Sequence, residues 1–322
     1  MPVVKPNTAS RVLITGGNGY IGVWVIRFLL EQGYVVRAAV RSDDKGRKLT
    51  EYFPSHRDKV EWVVVEDITK DGAFDDAVRN VDAIIHMASP VDSSSVEPEE
   101  LIKPAVQGTT SILKSAIEFG IKVKRIVITS STAAVMGLLK EPPNVFNEEN
   151  WGDEFVKIVQ EQGREAPWMY KYRASKTLAE QTAWKLYNEH KGKIGWELVV
   201  INPLCIGSPT LLDVKTPKDL NFSLIIWWTA VSKGIANDAF KASYAYIDVR
   251  DVASAHVLAL SKEEAAGERI IVSNGVITWQ ETRNVIQSLR PELYTSGIFP
   301  LGNPDSHEAV LFDYDSAKGS TY

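Results

Sequence analysis

Val12-Leu-Ile-Thr-Gly-Gly-Asn-Gly-Tyr-Ile-Gly22 decides how the rest of the chain is read. Val12, Leu13 and Ile14 form a short apolar run of the kind found in a buried parallel strand. Gly16, Gly19 and Gly22 then recur at every third residue. Val25, Ile26, Phe28 and Leu29 follow at roughly helical spacing, and Gly33 supplies a stop. A strand, a glycine turn and a helix in that order bring backbone N–H groups and a positive helix end up to a phosphate. Glycines without Cβ atoms let the backbone approach closely, and Gly22 lets the helix pack on the strand. The bland alternative is an ordinary tight strand-to-helix turn. A second strand, Tyr34 to Val40, follows at once and favours the dinucleotide-binding reading.

Composition narrows the class. A hydrophobic fraction of 44% and a charged fraction of 24% over 322 residues are those of an ordinary globular protein of one large domain or two small ones. The net charge of -5 argues against nucleic acid as a partner. Cys205 is the only cysteine, which excludes an internal disulfide framework and a cysteine metal cage. No other grouping has metal-ligand spacing, so no metal is expected. The apolar runs are too short to span a bilayer, and Met1-Pro-Val-Val-Lys5 opens no secretory core. The expectation is a cytosolic enzyme, monomer or homodimer, with a small-molecule partner and no membrane.

Outward from the glycine turn, strand patterns at Val60–Glu66, Val81–Met87, Arg125–Thr129 and Trp196–Ile201 alternate with helical stretches at Arg47–Phe53, Phe74–Val78, Glu99–Phe119 and Met169–His190. Such alternation predicts an α/β, doubly wound parallel sheet with right-handed crossovers, in which ligands sit at the carboxyl ends of the strands. Each predicted strand end carries polar or flexible groups: Arg41 with Lys45, Asp67-Ile68, His86-Met-Ala-Ser-Pro90, and Ser130-Ser131-Thr132. Lys140–Pro167, with Pro142, Pro143 and Trp151, reads as a long irregular stretch. Residues 1–206 are assigned mainly to the dinucleotide-binding domain. Residues 207–322, where the alternation weakens, are assigned mainly to a smaller, interleaved substrate-binding lobe.

Tyr172-Arg-Ala-Ser-Lys176 is the second signal. Residues four apart share a helix face. An ammonium beside a phenol favours the phenolate and should lower a tyrosine pKa from ~10, making Tyr172 a usable acid or base. The hydroxyl run after the fifth strand could hold a substrate oxygen. A surface Tyr/Lys pair is the duller account. Other groups read as structural: His256 on an apolar helix face, and Asp248, Arg250 and Asp251 as an ion network. His86 reads as shaping the dinucleotide site, and Trp227-Trp228 as core or as a substrate-facing wall.

Taken in order, T-G-G-N-G-Y-I-G from Thr15, I-T-S-S from Ile128 and Y-R-A-S-K from Tyr172 resemble the extended short-chain dehydrogenase/reductases. Within that superfamily the chain is similar to the NADPH-dependent aldehyde/ketone reductases, among them methylglyoxal, carbonyl, dihydroflavonol and cinnamoyl-CoA reductases. Val40-Arg-Ser, His86-Met-Ala-Ser-Pro, Pro104-Ala-Val-Gln-Gly-Thr, Asn202-Pro203 and Tyr246–His256 extend the likeness over Arg11 to about Leu289. The resemblance implies NADPH reduction of an aldehyde or ketone to an alcohol, with Ser131, Tyr172 and Lys176 as the catalytic triad and Thr132 as the alternative to Ser131. It implies a Rossmann cofactor site of Gly16, Asn18, Gly19, Tyr20, Ile21, Gly22, Arg41, Lys45, Asp67, Ile68, Met87, Ala88, Ser89, Thr129, Tyr172, Lys176 and Pro203. By the resemblance a further helix usually follows a stretch such as Phe312–Lys318, and whether the chain is truncated at Tyr322 stays open. The rivals are a nucleotide-sugar epimerase/dehydratase with bound NAD, and a non-catalytic NADP sensor. Asn202-Pro203, in place of an Arg-x-x-Asn run, argues against the first, and the Tyr/Lys pair against the second.

Overall fold

Strand β1 (Arg11–Thr15) lies between β2 (Val35–Val40) and β4 (Ala83–His86). The computed structural model describes residues 3–7, 9–89, 94–141, 144–232, 243–302 and 312–321; Pro90, Pro142 and Pro143 lie outside them. With β3 (Val60–Val64), β5 (Arg125–Thr129), β7 (Glu197–Pro203) and β10 (Arg269–Val272), these strands form a parallel sheet in the order β10-β7-β5-β4-β1-β2-β3. The chain winds one way through β1, β2 and β3 and the other way from β4 onward. The reversal therefore falls between β1 and β4, where Thr15 and His86 are register partners.

Two apolar layers explain why this sheet forms. Val12, Ile14, Val36, Ala38, Val127 and Val199 face one layer, which holds helix α1 (Tyr20–Glu31). Their neighbours Leu13, Ala39, Ile84, Ile126, Leu198 and Val200 face the other, beside α3 (Glu99–Phe119) and α5 (Trp168–His190). Strands buried on both faces need continuous apolar runs, and these β-branched stretches supply them. Helix α2 (Asp43–Glu51) starts earlier than the pattern predicts, because the Ser42 side chain caps it.

Two expectations are corrected. Phe74–Val78 is a series of turns rather than a helix; Gly72, at φ +74°, breaks the path, while Phe74 and Val78 still reach the core. Lys140–Pro167 is not wholly irregular: it contains β6 (Asn144–Phe146) and α4 (Asp153–Gln162). Asp153 and Glu154 suit the positive end of α4, and Phe155 and Val159, one turn apart, are buried. Beyond residue 207, α7 (Val249–Ser261) packs against α1, and β10 joins the main sheet. What remains of the smaller lobe is a sheet of β11 (Val276–Thr278), β9 (Ser243–Asp248) and β8 (Cys205–Gly207), with α6 (Phe222–Ser232), α8 (Trp279–Leu289) and α9 (Glu292–Thr295). β12 (Phe312–Tyr314) pairs with β6.

His86 and His256 are both buried, and burial pushes each ring down to about 4. Unfolded histidine titrates near ~6.5, so below that pH the unfolded chain binds more protons than the folded one. Stability therefore falls as pH drops from ~6.5 towards 4, by about 3 kcal/mol per ring. Thermal melts should give a steady Tm between pH ~7 and ~8 and a steep decline on acidification through that window. A flat Tm down to pH ~4.5 contradicts the neutral-ring assignment.

Candidate active site

Gly16 adopts φ +70°, and a Cβ built on it would meet the Ala88 backbone nitrogen at 3.1 Å. At Gly22 a Cβ would lie 2.3 Å from the Gly16 carbonyl oxygen. The turn thus presses against both the loop after β4 and the start of α1. Thr15 joins these two walls: its hydroxyl oxygen accepts from the Met87 and Ala88 N–H groups, each at 3.1 Å. A hydroxyl accepting two bonds has one proton left, so it donates to His86 Nδ1 at 2.8 Å. His86 therefore acts from behind the cleft, through Thr15.

That cleft has a volume of about 380 Å³ and is lined by Gly16, Asn18, Gly19, Arg41, Lys45, Ile68, Met87, Ala88 and Ser89. Thr15, Ala39, Val40 and Val65 also line it and were missed, since strand-end residues carry no signature beyond their place in the sheet. Tyr20, Ile21, Gly22, Asp67, Thr129, Tyr172, Lys176 and Pro203 do not line it, although Lys176 reaches its wall at Ser89. The Tyr20 phenol lies 2.7 Å from the Gly207 and Ser208 carbonyls. Asp67 turns back to accept from the Thr69 N–H and hydroxyl. Thr129 donates to His256 Nε2 at 2.6 Å, because His256 Nδ1 already faces the Val252 carbonyl at 2.7 Å.

At one end of the cleft Arg41 and Lys45 are exposed cations with no ion pair to a described residue. The nearby acids are engaged elsewhere: Asp43 accepts from Trp62 at 3.0 Å and Asp44 pairs with Arg47 at 2.6 Å. A dinucleotide fits this outline, with a tight glycine turn at the start of α1 in the middle and cations for an extra phosphate at one end.

At the other end Ser89 accepts a hydrogen bond from Lys176 Nζ at 3.2 Å. Lys176 and Tyr172 are half-buried on one face of α5, with Nζ 5.7 Å from the phenol ring centroid. Ser131 is in hydrogen-bonding contact with the Tyr172 phenol and accepts from the Ala133 N–H at 3.1 Å. Thr132 is buried and donates to the Pro203 carbonyl at 3.4 Å, so Ser131 is the hydroxyl that faces Tyr172. Burial pushes the Tyr172 phenol up to about 12 despite the Ser131 contact, opposite to the lowering expected from Lys176. The same burial pulls the Lys176 ammonium down to about 8, with Glu180 acting the other way.

An aromatic wall adjoins the triad. Trp168 stacks on Tyr172 at 5.5 Å between centroids and meets Phe222 of α6 at 5.1 Å. Its place one turn before Tyr172 was the available signal. Beyond it, Cys205, Leu224, Trp227, Tyr244 and Ile277 help enclose a cavity of about 450 Å³ in the smaller lobe. The tryptophan pair splits: Trp227 faces this cavity, whereas Trp228 packs edge-on against Phe299. Asp248 caps α7 and pairs with Arg250 at 2.7 Å, so that group is structural, as is the buried His256.

A profile of the NAD dependent epimerase/dehydratase family matches residues 12–273. The ketoreductase azaE of Aspergillus niger is 35% identical over 323 residues, covering 96% of this chain and 91% of the relative. The NADPH-dependent methylglyoxal reductase GRE2 of Saccharomyces cerevisiae is 33% identical over 303 residues, covering 92% and 86%. The crystal structure of yeast methylglyoxal/isovaleraldehyde reductase Gre2 complexed with NADPH is similar at a TM-score of 0.84 and 31% identity, over 97% of this chain and 92% of that one. Profile, relatives and fold agree along nearly the whole chain, and the protein belongs to the NAD dependent epimerase/dehydratase family.

Proposed function

We propose that this protein is an NADPH-dependent carbonyl reductase that converts an aldehyde or ketone to an alcohol. The observation that carries the reading is that Ser131 contacts the Tyr172 phenol while Lys176, one turn along α5, bonds Ser89 in the wall of the cleft that also bears Arg41 and Lys45. Relatives named as ketoreductase and methylglyoxal reductase support it. Gly16, Asn18, Gly19, Met87, Ala88 and Ser89 would hold the cofactor, and Arg41 with Lys45 would take its 2′-phosphate. When bound, NADPH supplies the hydride for the carbonyl carbon.

The chain's own residues handle the oxygen and the proton. Ser131 donates a hydrogen bond to the carbonyl oxygen and orients it. Tyr172, held near 12 by burial, stays protonated at physiological pH and is available to donate its proton to that oxygen. Once the proton has left, the Lys176 ammonium stabilises the phenolate. Lys176 would also donate towards the ribose hydroxyls, a role supported by its bond to Ser89 in the wall of the cleft. Solvent is kept from one face of the phenol by Trp168.

The epimerase reading asks for a pocket that accepts a nucleotide diphosphate, with cationic or N–H-rich walls. The cavity beside Cys205 is instead walled by Leu224, Trp227, Tyr244, Ile277 and Ile286. Small to medium apolar carbonyl compounds, including aromatic ones, are therefore the expected substrates, and a UDP-sugar should give no heat of binding in calorimetry.

Tyr172→Phe should lower kcat by ~10²–10⁴-fold while NADPH still binds. Turnover near that of the wild type removes Tyr172 as proton donor. Arg41→Ala should raise the KM for NADPH by roughly ten- to a hundredfold and leave NADH nearly unchanged, since a charge-assisted bond contributes about 1.5–3 kcal/mol. Equal weakening towards both cofactors in steady-state kinetics rules out the 2′-phosphate contact.

A further inference from the structure

We propose that Glu180 is a positioning residue of the reduction: its buried carboxylate fixes the backbone of Ser131 and anchors the α5 face that carries Tyr172 and Lys176. The inference rests on the triad assignment above. Glu180 lies one helical turn beyond Lys176 and two beyond Tyr172, and only 2% of it is exposed. One carboxylate oxygen accepts from the Ser130 hydroxyl at 2.6 Å and from Asn202 Nδ2 at 2.8 Å. The other accepts from Arg269 Nε at 2.6 Å and, at longer range, from Trp184 Nε1 at 3.4 Å.

Asn202 carries the effect to Ser131. Its Nδ2 donates both to Glu180 and to the Ser131 carbonyl, the latter at 3.1 Å. Both neighbours are acceptors, so the amide can face them only through its NH2 group. Ser130 and Ser131 are thus held from consecutive positions by one carboxylate, directly and through Asn202. Arg269 backs the carboxylate from β10, stacks on Trp151 at 3.6 Å and donates to the Asn150 carbonyl at 2.9 Å. Buried ion pairs are weak sources of net stability. An anion one turn from Lys176, bonded to the residue next to Ser131, acts on the site itself.

A second consequence separates positioning from mere support. Among the described residues, the groups facing the Lys176 ammonium are Tyr172 and Glu180 on α5, His86 on β4 and Ser89 on the loop after it, with Cys205 of β8 near the phenol and Arg269 behind Glu180. His86 is neutral above pH ~5. Glu180 is the one anion in this group and favours the charged ammonium. Removing it should let Lys176 lose its proton at lower pH.

The test compares Glu180→Gln, Glu180→Asp and the double variant Glu180→Gln/Arg269→Met, which leaves no lone cation buried. Tm, kcat, and the pH dependence of NADPH affinity from fluorescence titration are measured for each. In Glu180→Gln and the double variant, kcat should fall roughly ten- to a hundredfold from loss of geometry. NADPH affinity at pH ~6.5 should change by no more than about threefold, and its alkaline limb should move to lower pH by about one unit. Glu180→Asp keeps the charge but has a shorter arm, so the limb should stay and kcat should fall. Wild-type kcat in Glu180→Gln overturns the inference, as does a loss of kcat with the limb unmoved, or failure of both Glu180→Gln forms to fold. If Tyr172→Phe retains turnover, the triad assignment itself has failed; if Tyr172→Phe is dead while Glu180→Gln matches wild type, only the present inference has.

Discussion

The Thr15 hydroxyl is the bond on which the site depends. β1 and β4 are neighbours in the sheet, but the chain leaves them in opposite directions, and that divergence opens the cleft. Something must set the width of the opening. Thr15 does so by accepting from Met87 and Ala88 across the gap, with its own proton committed to His86. The close approach of Gly16 to Ala88 is possible only at that spacing. Valine at position 15 would keep the shape of the side chain and leave two N–H groups without their partner, a cost of about 1–3 kcal/mol for each that is buried.

Burial, rather than the neighbouring lysine, dominates the electrostatics of the free site. Tyr172 and Lys176 are pushed in opposite directions by the same cause: each is held towards its neutral form. Local spacing predicts the pairing correctly and the sign of the tyrosine shift incorrectly. Four residues of separation fix which groups share a helix face, but how much water reaches them depends on Trp168, Phe222 and the smaller lobe. A phenol that stays protonated suits a donor, so the direction of the shift agrees with reduction.

The same division explains what could be read in advance. The main strands, the glycine turn and the α3 bounds were legible because they rest on local periodicity and on glycine chemistry. Ser131 was separable from Thr132 only once β7 had placed Pro203 against the threonine. Thr129 and Tyr20 sit where the motif predicts, yet their hydroxyls turn to His256 and to the 207–208 carbonyls, partners more than 120 residues away. The Glu180 network left no local trace for a similar reason: its members come from α5, β7, β10, the turn after β5 and the loop before α4. The return of residues 249–272 to the main sheet was hidden because a short strand such as Arg269–Val272 reads alike in either lobe.

These long-range contacts also bear on how the two lobes cooperate. The first helix of the cofactor site is tied to the smaller lobe by Tyr20 and by Trp24, which donates to the Pro209 carbonyl at 2.9 Å. The catalytic helix is tied to it by the packing of Trp168 and Tyr172 against Phe222. The cavity of the smaller lobe therefore hangs from the elements proposed to hold the cofactor and the proton donor. A change of side chain at Leu224 or Trp227 would alter which carbonyl compound fits, while the pyrophosphate turn and Tyr172 keep supports of their own in Thr15 and Glu180. The reason is geometric: the cavity residues belong to α6, α8 and the β11-β9-β8 sheet, whereas Thr15 and Glu180 act from the main sheet and from α5.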